Sequence, residues 1–452
     1  MKQSATLRWQ AVREAVFPAL AVCALAVAGC GSEPPLHLMG AYRFPDGRLV
    51  GIRGSSEGTL RYRIYETGES GRLHPAGGLR FVAGPGFSAG EPVEVTVEFS
   101  LGPGGIADSA LWSFRDGPAV TLERVTREEQ VRFTSGDVEL FGVIDLPPGP
   151  GPHPGVVFAH GSGKDPAVEF LAFGDFLSQH GIASLTFDKR GTGRSEGEYT
   201  MDFDLLAGDV AAAVEFLASR PEIDGGMIGI SGFSQGGWVG PLAASRTPLA
   251  RWVIVNYGMI ESPAYEARME TLDLLRGRGV AGEDLAKADT LTVAAVEIVA
   301  GGFRDGWERW SVLRKRYGGE PWMKKFKGSP VGELLKYPRW LVRLIGPMMA
   351  PPDLSWHYDS QALLESLDIP MVWMIAGRDR EAPNGKTIET LRRLIAAGKP
   401  YELIVFPDAD HGMLEFDERE DGRRVYKGFS RDYFTISVDR ARRLSGLEPD
   451  RH

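Results

Sequence analysis

Two stretches of the chain read G-x-S-x-G: Gly193-Arg194-Ser195-Glu196-Gly197 and Gly232-Phe233-Ser234-Gln235-Gly236. A serine in this pattern sits on a tight strand-to-helix turn, and the positions two residues to either side are small because a side chain there would clash with the turn. The chemistry would be acyl transfer, with the hydroxyl attacking a carbonyl and holding the acyl group. Context separates the two matches. Ser234 directly follows the apolar run MIGISGF and precedes GGWVGPLAAS, which can begin a helix, whereas Ser195 lies seven residues past the end of its strand at Asp188, in a charged loop. Ser234 is the predicted nucleophile.

A serine hydroxyl is a weak nucleophile at neutral pH. It needs a base, usually histidine, and the histidine needs a carboxylate to fix its tautomer. In one recurring arrangement the chain order is Ser, then acid, then His. Of the eight histidines only His357, His411 and His452 follow Ser234. His452 is the final residue and His357 precedes the final strands, which leaves His411, in DADHG just after the strand YELIVFP. For the acid, Asp379 is the first carboxylate after the apolar run PMVWMIAG, with Asp408 and Asp353 as the other possibilities. The carboxyl end of a parallel strand is where such a sheet places its chemistry. Backbone amides would hold the oxyanion: His160-Gly161-Ser162-Gly163 closes the strand GVVFAH, and the amides of Ser162 and of Gln235 are the candidate donors.

In that order HGSG, DKRGTGRSEG, GFSQGG, AGRD and DADHG, spanning Val131 to about Arg443, resemble the α/β-hydrolase superfamily of serine esterases and prolyl-oligopeptidase-like hydrolases. Within it the chain resembles lipoprotein-signalled bacterial esterases with a β-rich N-terminal domain and a helical cap. That resemblance implies that Asp188 and Arg190 support a loop beside the active site and that Ser195 belongs to that loop without reacting.

The elements that must position these residues follow from periodicity. Buried apolar runs (GVVFAH, IASLTFD, MIGISGF, RWVIVNY, PMVWMIAG, YELIVFP) alternate with helical stretches such as AVEFLAFGDFLSQHG and LLAGDVAAAVEFLASR. Near-continuous apolar strands are expected where both faces of a parallel sheet are covered. The predicted fold class is therefore α/β: an α/β-hydrolase fold, a mostly parallel doubly wound sheet, with a helical cap insert and a small N-terminal all-β domain. Residues 31–127, short alternating runs split by glycine and proline, form that β-rich domain. The catalytic domain takes residues 128–258 and 369–452, and the cap insert residues 259–368. The cap is predicted from the helical periods AYEARMETLDLLRGRG, EDLAKADTLTVAAVEIVAGG and GELLKYPRWLVRLIG. The β-rich domain supplies no candidate triad or donor residue, so the chemistry is expected not to depend on it.

Residues 1–30 read as a signal peptide. Lys2, Arg8 and Arg13 precede the uncharged run Ala15 to Gly29, too short to span a bilayer, and Val27-Ala28-Gly29-Cys30 resembles a lipobox in which Cys30 becomes the lipidated first residue. A bacterial envelope location follows, with membrane attachment through that lipid anchor. Cys23 and Cys30 are the only cysteines, which excludes an internal disulfide or a cysteine-based zinc site in the body, and no metal or cofactor is expected. The net charge of -9 argues against a nucleic-acid partner. The function expected is a carboxylic-ester hydrolase acting on a small-molecule ester, with an apolar acyl group selected by the cap. A peptidase or thioesterase on the same triad, or a non-catalytic envelope binding protein, are the alternatives.

Overall fold

The computed structural model describes residues 35–54, 59–115, 117–170, 173–420 and 422–448. Cys30 and the apolar run before it lie outside the described residues. Among the described residues, no helix is long and apolar enough to cross a membrane.

The N-terminal alternating runs become β1 (Gly40–Arg43), β2 (Leu49–Gly54), β3 (Leu60–Ile64), β4 (Ser70–Pro75), β5 (Arg80–Ala83), β6 (Val95–Leu101), β7 (Ala107–Phe114) and β8 (Val120–Arg124), which close into an antiparallel barrel. Closure is made by β1 on β8, where Tyr42 pairs with Arg124. The period of two explains the filling: on β6, Val95, Val97 and Phe99 point inward while Glu98 and Ser100 face water.

The second sheet contains β9 (Glu128–Ser135), β10 (Val138–Asp145), β11 (His153–Ala159), β12 (Ala183–Phe187), β13 (Ile223–Phe233), β14 (Ala250–Asn256), β15 (Met371–Ala376) and β16 (Tyr401–Phe406). Its order is β16-β15-β14-β13-β11-β12-β10-β9, with β11 to β16 parallel and the hairpin β9-β10 antiparallel at one edge. Both faces are covered. Helices α1 (Ala167–Phe170), α2 (Gly174–Gln179), α3 (Phe203–Ala218) and α4 (Gly236–Ala244) fall between the early strands. The insert after β14 carries α5 (Pro263–Gly277), α6 (Gly282–Ala300), α7 (Trp307–Tyr317), α8 (Pro330–Lys336) and α9 (Arg339–Met349). Then follow α10 (Gln361–Ser366), α11 (Gly385–Ala396) and α12 (Tyr433–Leu444). Val157 and Ile230 pack toward α3, α4 and α11, whereas Val156 and Phe158 pack toward α2 and α12.

Two predicted helices are broken in the structure. AVEFLAFGDFLSQHG is described as α1 and α2 rather than one element. Gly174 opens α2 hard against the Asp145 carboxylate and the Ser184 hydroxyl, where a Cβ would collide. GELLKYPRWLVRLIG divides into α8 and α9 at Pro338, because the residue before a proline is driven out of the helical region and Tyr337 is extended. The insert has its own core, in which Trp307, Trp310 and Trp322 are buried.

The barrel is in direct contact with the second sheet. Buried Arg53 on β2 reaches Asp175 at 2.6 Å and Glu128 at 2.8 Å, and lies 4.0 Å from Asp145. Leu49 and Tyr65 join the apolar cluster beneath α2 and α12. The chain after β16 adds a small sheet absent from the sequence expectation, β17 (Ala409–Asp410), β18 (Leu414–Glu418) and β19 (Arg424–Phe429). Its β19 meets the barrel, where Phe429 N donates to Gly68 O at 2.8 Å.

Candidate active site

Ser234 stands between the end of β13 and the start of α4 with φ of 52°. The small flanking residues are required by contact. A Cβ on Gly232 would strike the Gly236 carbonyl, and one on Gly236 would strike the Ala159 carbonyl. Ser234 N donates to Asn256 O at 3.0 Å, and Gly237 N to Ser234 O at 2.7 Å, which fixes the turn. Behind it, buried Asn256 donates to Ser231 Oγ and Gly232 O and accepts from the Tyr433 hydroxyl.

His411 follows β17, and its Nε2 lies 3.0 Å from Ser234 Oγ. Its Nδ1 lies 2.9 Å from Asp379 Oδ2. Asp379 comes just after β15, and its other oxygen accepts from the amides of Glu381 at 3.0 Å and Ala382 at 2.8 Å, so the carboxylate is oriented by its own turn. The three residues that the sequence singled out, 32 and 177 positions from His411, thus form one hydrogen-bonded series. Asp408 and Asp353 are exposed and take no part in it. The Gly161–Ser162 chain lies over the nucleophile, since a Cβ on Gly161 would stand 3.5 Å from Ser234 Cβ, and Gln235 is the residue that caps the N-terminus of α4.

The family model described as the alpha/beta hydrolase family matches residues 156–425. The chain belongs to that family. Among curated proteins, it is 38% identical over 81 residues to the polyketide transferase claH of Penicillium crustosum and 33% identical over 109 residues to the quorum-quenching protein AidA of Acinetobacter baumannii. These matches take in 18% and 24% of this chain and span only 26% and 36% of the relatives' own lengths. A Pyrococcus furiosus esterase is similar in structure, at 18% identity and a TM-score of 0.40, over 71% of this chain and 90% of its own. The Pyrococcus horikoshii acylaminoacyl peptidase is similar at 16% identity and a TM-score of 0.39, over 81% of this chain and 52% of its own.

Around the series the fold places groups that the sequence reading did not single out. Glu381 Oε2 is 3.8 Å from His411 Nε2, and the Tyr257 ring packs edge-on against the imidazole at 5.0 Å. Glu266 and Glu270, one turn apart on α5, bring the cap's carboxyls to the same place; burial pushes Glu266 up to about 8 and Glu270 up to about 7. Burial would push His411 down, but Asp379, Glu381 and Glu266 outweigh it and raise the imidazole to about 10. Asp410 anchors the histidine loop: its carboxylate accepts from His411 N at 2.9 Å and from the Tyr426 hydroxyl at 2.8 Å, and pairs with Arg424. It stands beside His411 in DADHG, but nothing in that string distinguishes it from Asp408.

The second G-x-S-x-G is a structural loop. Ser195 Oγ donates to Asp188 O at 2.6 Å and accepts from Phe141 N at 2.8 Å. Buried Asp188 accepts from Val168 N and Arg194 N, and Arg190 grips Asp209 through two bonds of 2.6 and 2.8 Å.

Proposed function

We propose that the protein hydrolyses carboxylic esters through an acyl-enzyme on Ser234. The observation that carries this reading is the continuous Ser234–His411–Asp379 hydrogen bonding at a positive-φ turn. His411 Nε2 takes the hydroxyl proton as Ser234 Oγ attacks, and Asp379 holds Nδ1–H so that Nε2 is the free acceptor. The amides of Ser162 and Gln235 receive the oxyanion, the latter at a helix N-terminus whose dipole favours negative charge. His411 returns the proton to the departing alcohol, and water repeats the sequence to release the acid. Glu381, 3.8 Å from His411 Nε2, disfavours an anionic acyl or alcohol group, so an uncharged substrate suits the site, and the acyl chain expected there is apolar. A peptidase or thioesterase would use the same atoms and is separated by substrate. The N-terminal sequence supports delivery to a bacterial envelope with Cys30 as the lipidated residue.

The test is fluorophosphonate labelling followed by a p-nitrophenyl ester series of rising acyl length, alongside thioester and peptide substrates. Ser234→Ala is expected to lose labelling and to fall on the order of 10³ to 10⁶ in ester turnover. Labelling that survives in Ser234→Ala refutes the nucleophile, and labelling without ester turnover refutes the esterase.

A further inference from the structure

Of the four tryptophans between Arg304 and Arg343, Trp307, Trp310 and Trp322 are buried, but the fourth is not. Trp340 is 68% exposed, and Leu344 and Met348, one and two turns further along α9, are 66% and 70% exposed. The opposite side of α9 supplies Val342 and Ile345 to the cap core, so the helix is anchored by one apolar face and presents a second to water. Val312 on α7 is likewise 66% exposed. A single exposed leucine needs no explanation; a ridge of three large apolar side chains on successive turns of one helix does.

The stretch of chain that leads into the ridge is basic. From Arg304 to Arg343 the chain has eleven Lys and Arg against four Asp and Glu, a local balance of +7 within a protein of net charge -9. Between α7 and the start of α9 lies an open groove of about 350 Å³, lined by Trp307, Trp310, Arg314, Lys315, Tyr337 and Arg339. Arg339 sits 5.4 Å from the Trp307 ring centroid, and Arg314 donates to Leu335 O, so both heads are held at the groove. Arg314, Lys315, Arg339 and Arg343 have no carboxylate partner among the described residues.

We propose that this face of the cap docks on an anionic lipid bilayer, with Trp340, Leu344 and Met348 entering the interface and the Arg314, Lys315 and Arg339 groove receiving headgroup phosphate. Charge favours a membrane over the same face of a second copy: two such faces would bring like charge onto like charge, whereas an anionic bilayer offers an apolar layer beneath a negative one. Indole and thioether side chains are suited to the interface, and Lys and Arg reach from it toward phosphates. The N-terminal run ending at Cys30 would bring the same protein to a membrane by a separate route. The docking reading does not depend on which ester Ser234 cleaves.

The test is site-resolved and uses the full chain with Cys23→Ser and Cys30→Ser, which leaves no other cysteine. Leu344→Cys is labelled with an environment-sensitive nitrobenzoxadiazole dye. Leu111→Cys, an exposed leucine on the barrel, is the comparison. Vesicles of phosphatidylcholine with phosphatidylglycerol are expected to shift emission at position 344 to the blue and to allow quenching by doxyl lipids, with little change at position 111. Arg339→Gln with Arg343→Gln should remove the preference for phosphatidylglycerol, and Trp340→Asp should weaken vesicle binding by about tenfold or more. No shift at 344, an equal shift at 111, or an equal response to phosphatidylcholine alone overturns the proposal. A shift at 344 that grows with protein concentration without vesicles overturns it in favour of self-association.

Discussion

Glu381→Gln should move the acid limb of the pH–rate profile to lower pH. The base in the proposed mechanism is neutral His411, so kcat/KM rises as the imidazolium loses its proton. Glu381 Oε2, 3.8 Å from Nε2, stabilises the imidazolium and so delays that loss. At this separation a pair of unit charges interacts by about 1 kcal/mol in water and about 4 kcal/mol at an effective dielectric near 20. The Glu381 side chain is 46% exposed, which places the interaction toward the lower limit. Roughly 1 to 2 kcal/mol corresponds to a shift of about one pH unit. Glu381 N, which orients Asp379, is retained in the variant, so the plateau rate should change little. Glu266→Gln should move the limb in the same direction, because that carboxyl, pushed up to about 8, is ionised before an imidazole raised to about 10 loses its proton. The assay is kcat/KM for a p-nitrophenyl ester across the rising limb, paired with the pH dependence of the fluorophosphonate inactivation rate. A limb that stays in place or moves to higher pH in Glu381→Gln would refute the electrostatic argument.

Asp379→Asn should lower turnover by on the order of 10⁴ while the protein stays folded, because His411 is left in the wrong tautomer; Asp408→Asn should be close to wild type, and equal mild losses would remove Asp379 from its role. Ser195→Ala should retain labelling at Ser234 but cost about 1 to 3 kcal/mol in denaturant unfolding, since Phe141 N loses its acceptor. Unchanged stability there would mean water replaces the hydroxyl. Arg53→Met should destabilise by about 3 to 5 kcal/mol by stranding Asp175 and Glu128. Burial already holds Asp145 and Asp175 above the usual carboxylate range, so folding is favoured while they are protonated, and the loss in the variant should grow as pH rises above that usual range. A pH-independent thermal shift would contradict that account.

What the sequence made legible was whatever depends on local pattern. Six apolar runs identified β11 to β16 because a doubly covered parallel strand has few alternative readings. Gly232 and Gly236 marked the elbow because only small residues fit there. Chain order isolated His411 by elimination. What stayed hidden depends on contacts between distant segments: Glu266 and Glu270 look like ordinary solvated positions on an amphipathic helix, and only the fold carries Glu266 toward His411 and Glu270 toward Glu381. Arg53 is likewise one basic residue in an alternating strand until β9, β10 and α2 surround it. The tryptophans of the cap show the same limit, since Trp307 and Trp340 have similar surroundings in sequence and opposite exposures.

The barrel's place in the molecule follows from the same contacts. Phe87, in the turn after β5, packs against the rings of Tyr426 and Phe429. Phe87 N donates to Tyr426 O, and Glu69 bridges Gly428, so β19 is held from the barrel side by backbone as well as by rings. On its other side β19 presents Arg424 and the Tyr426 hydroxyl to Asp410, and Asp410 in turn accepts from His411 N. Each link is a direct contact, and Tyr426 takes part in two of them. The elbow lacks this dependence: Ser234 is fixed by β13, β14 and α4. The barrel is therefore linked by direct contacts, through β19 and Asp410, to the segment that carries His411, although it supplies no candidate catalytic residue.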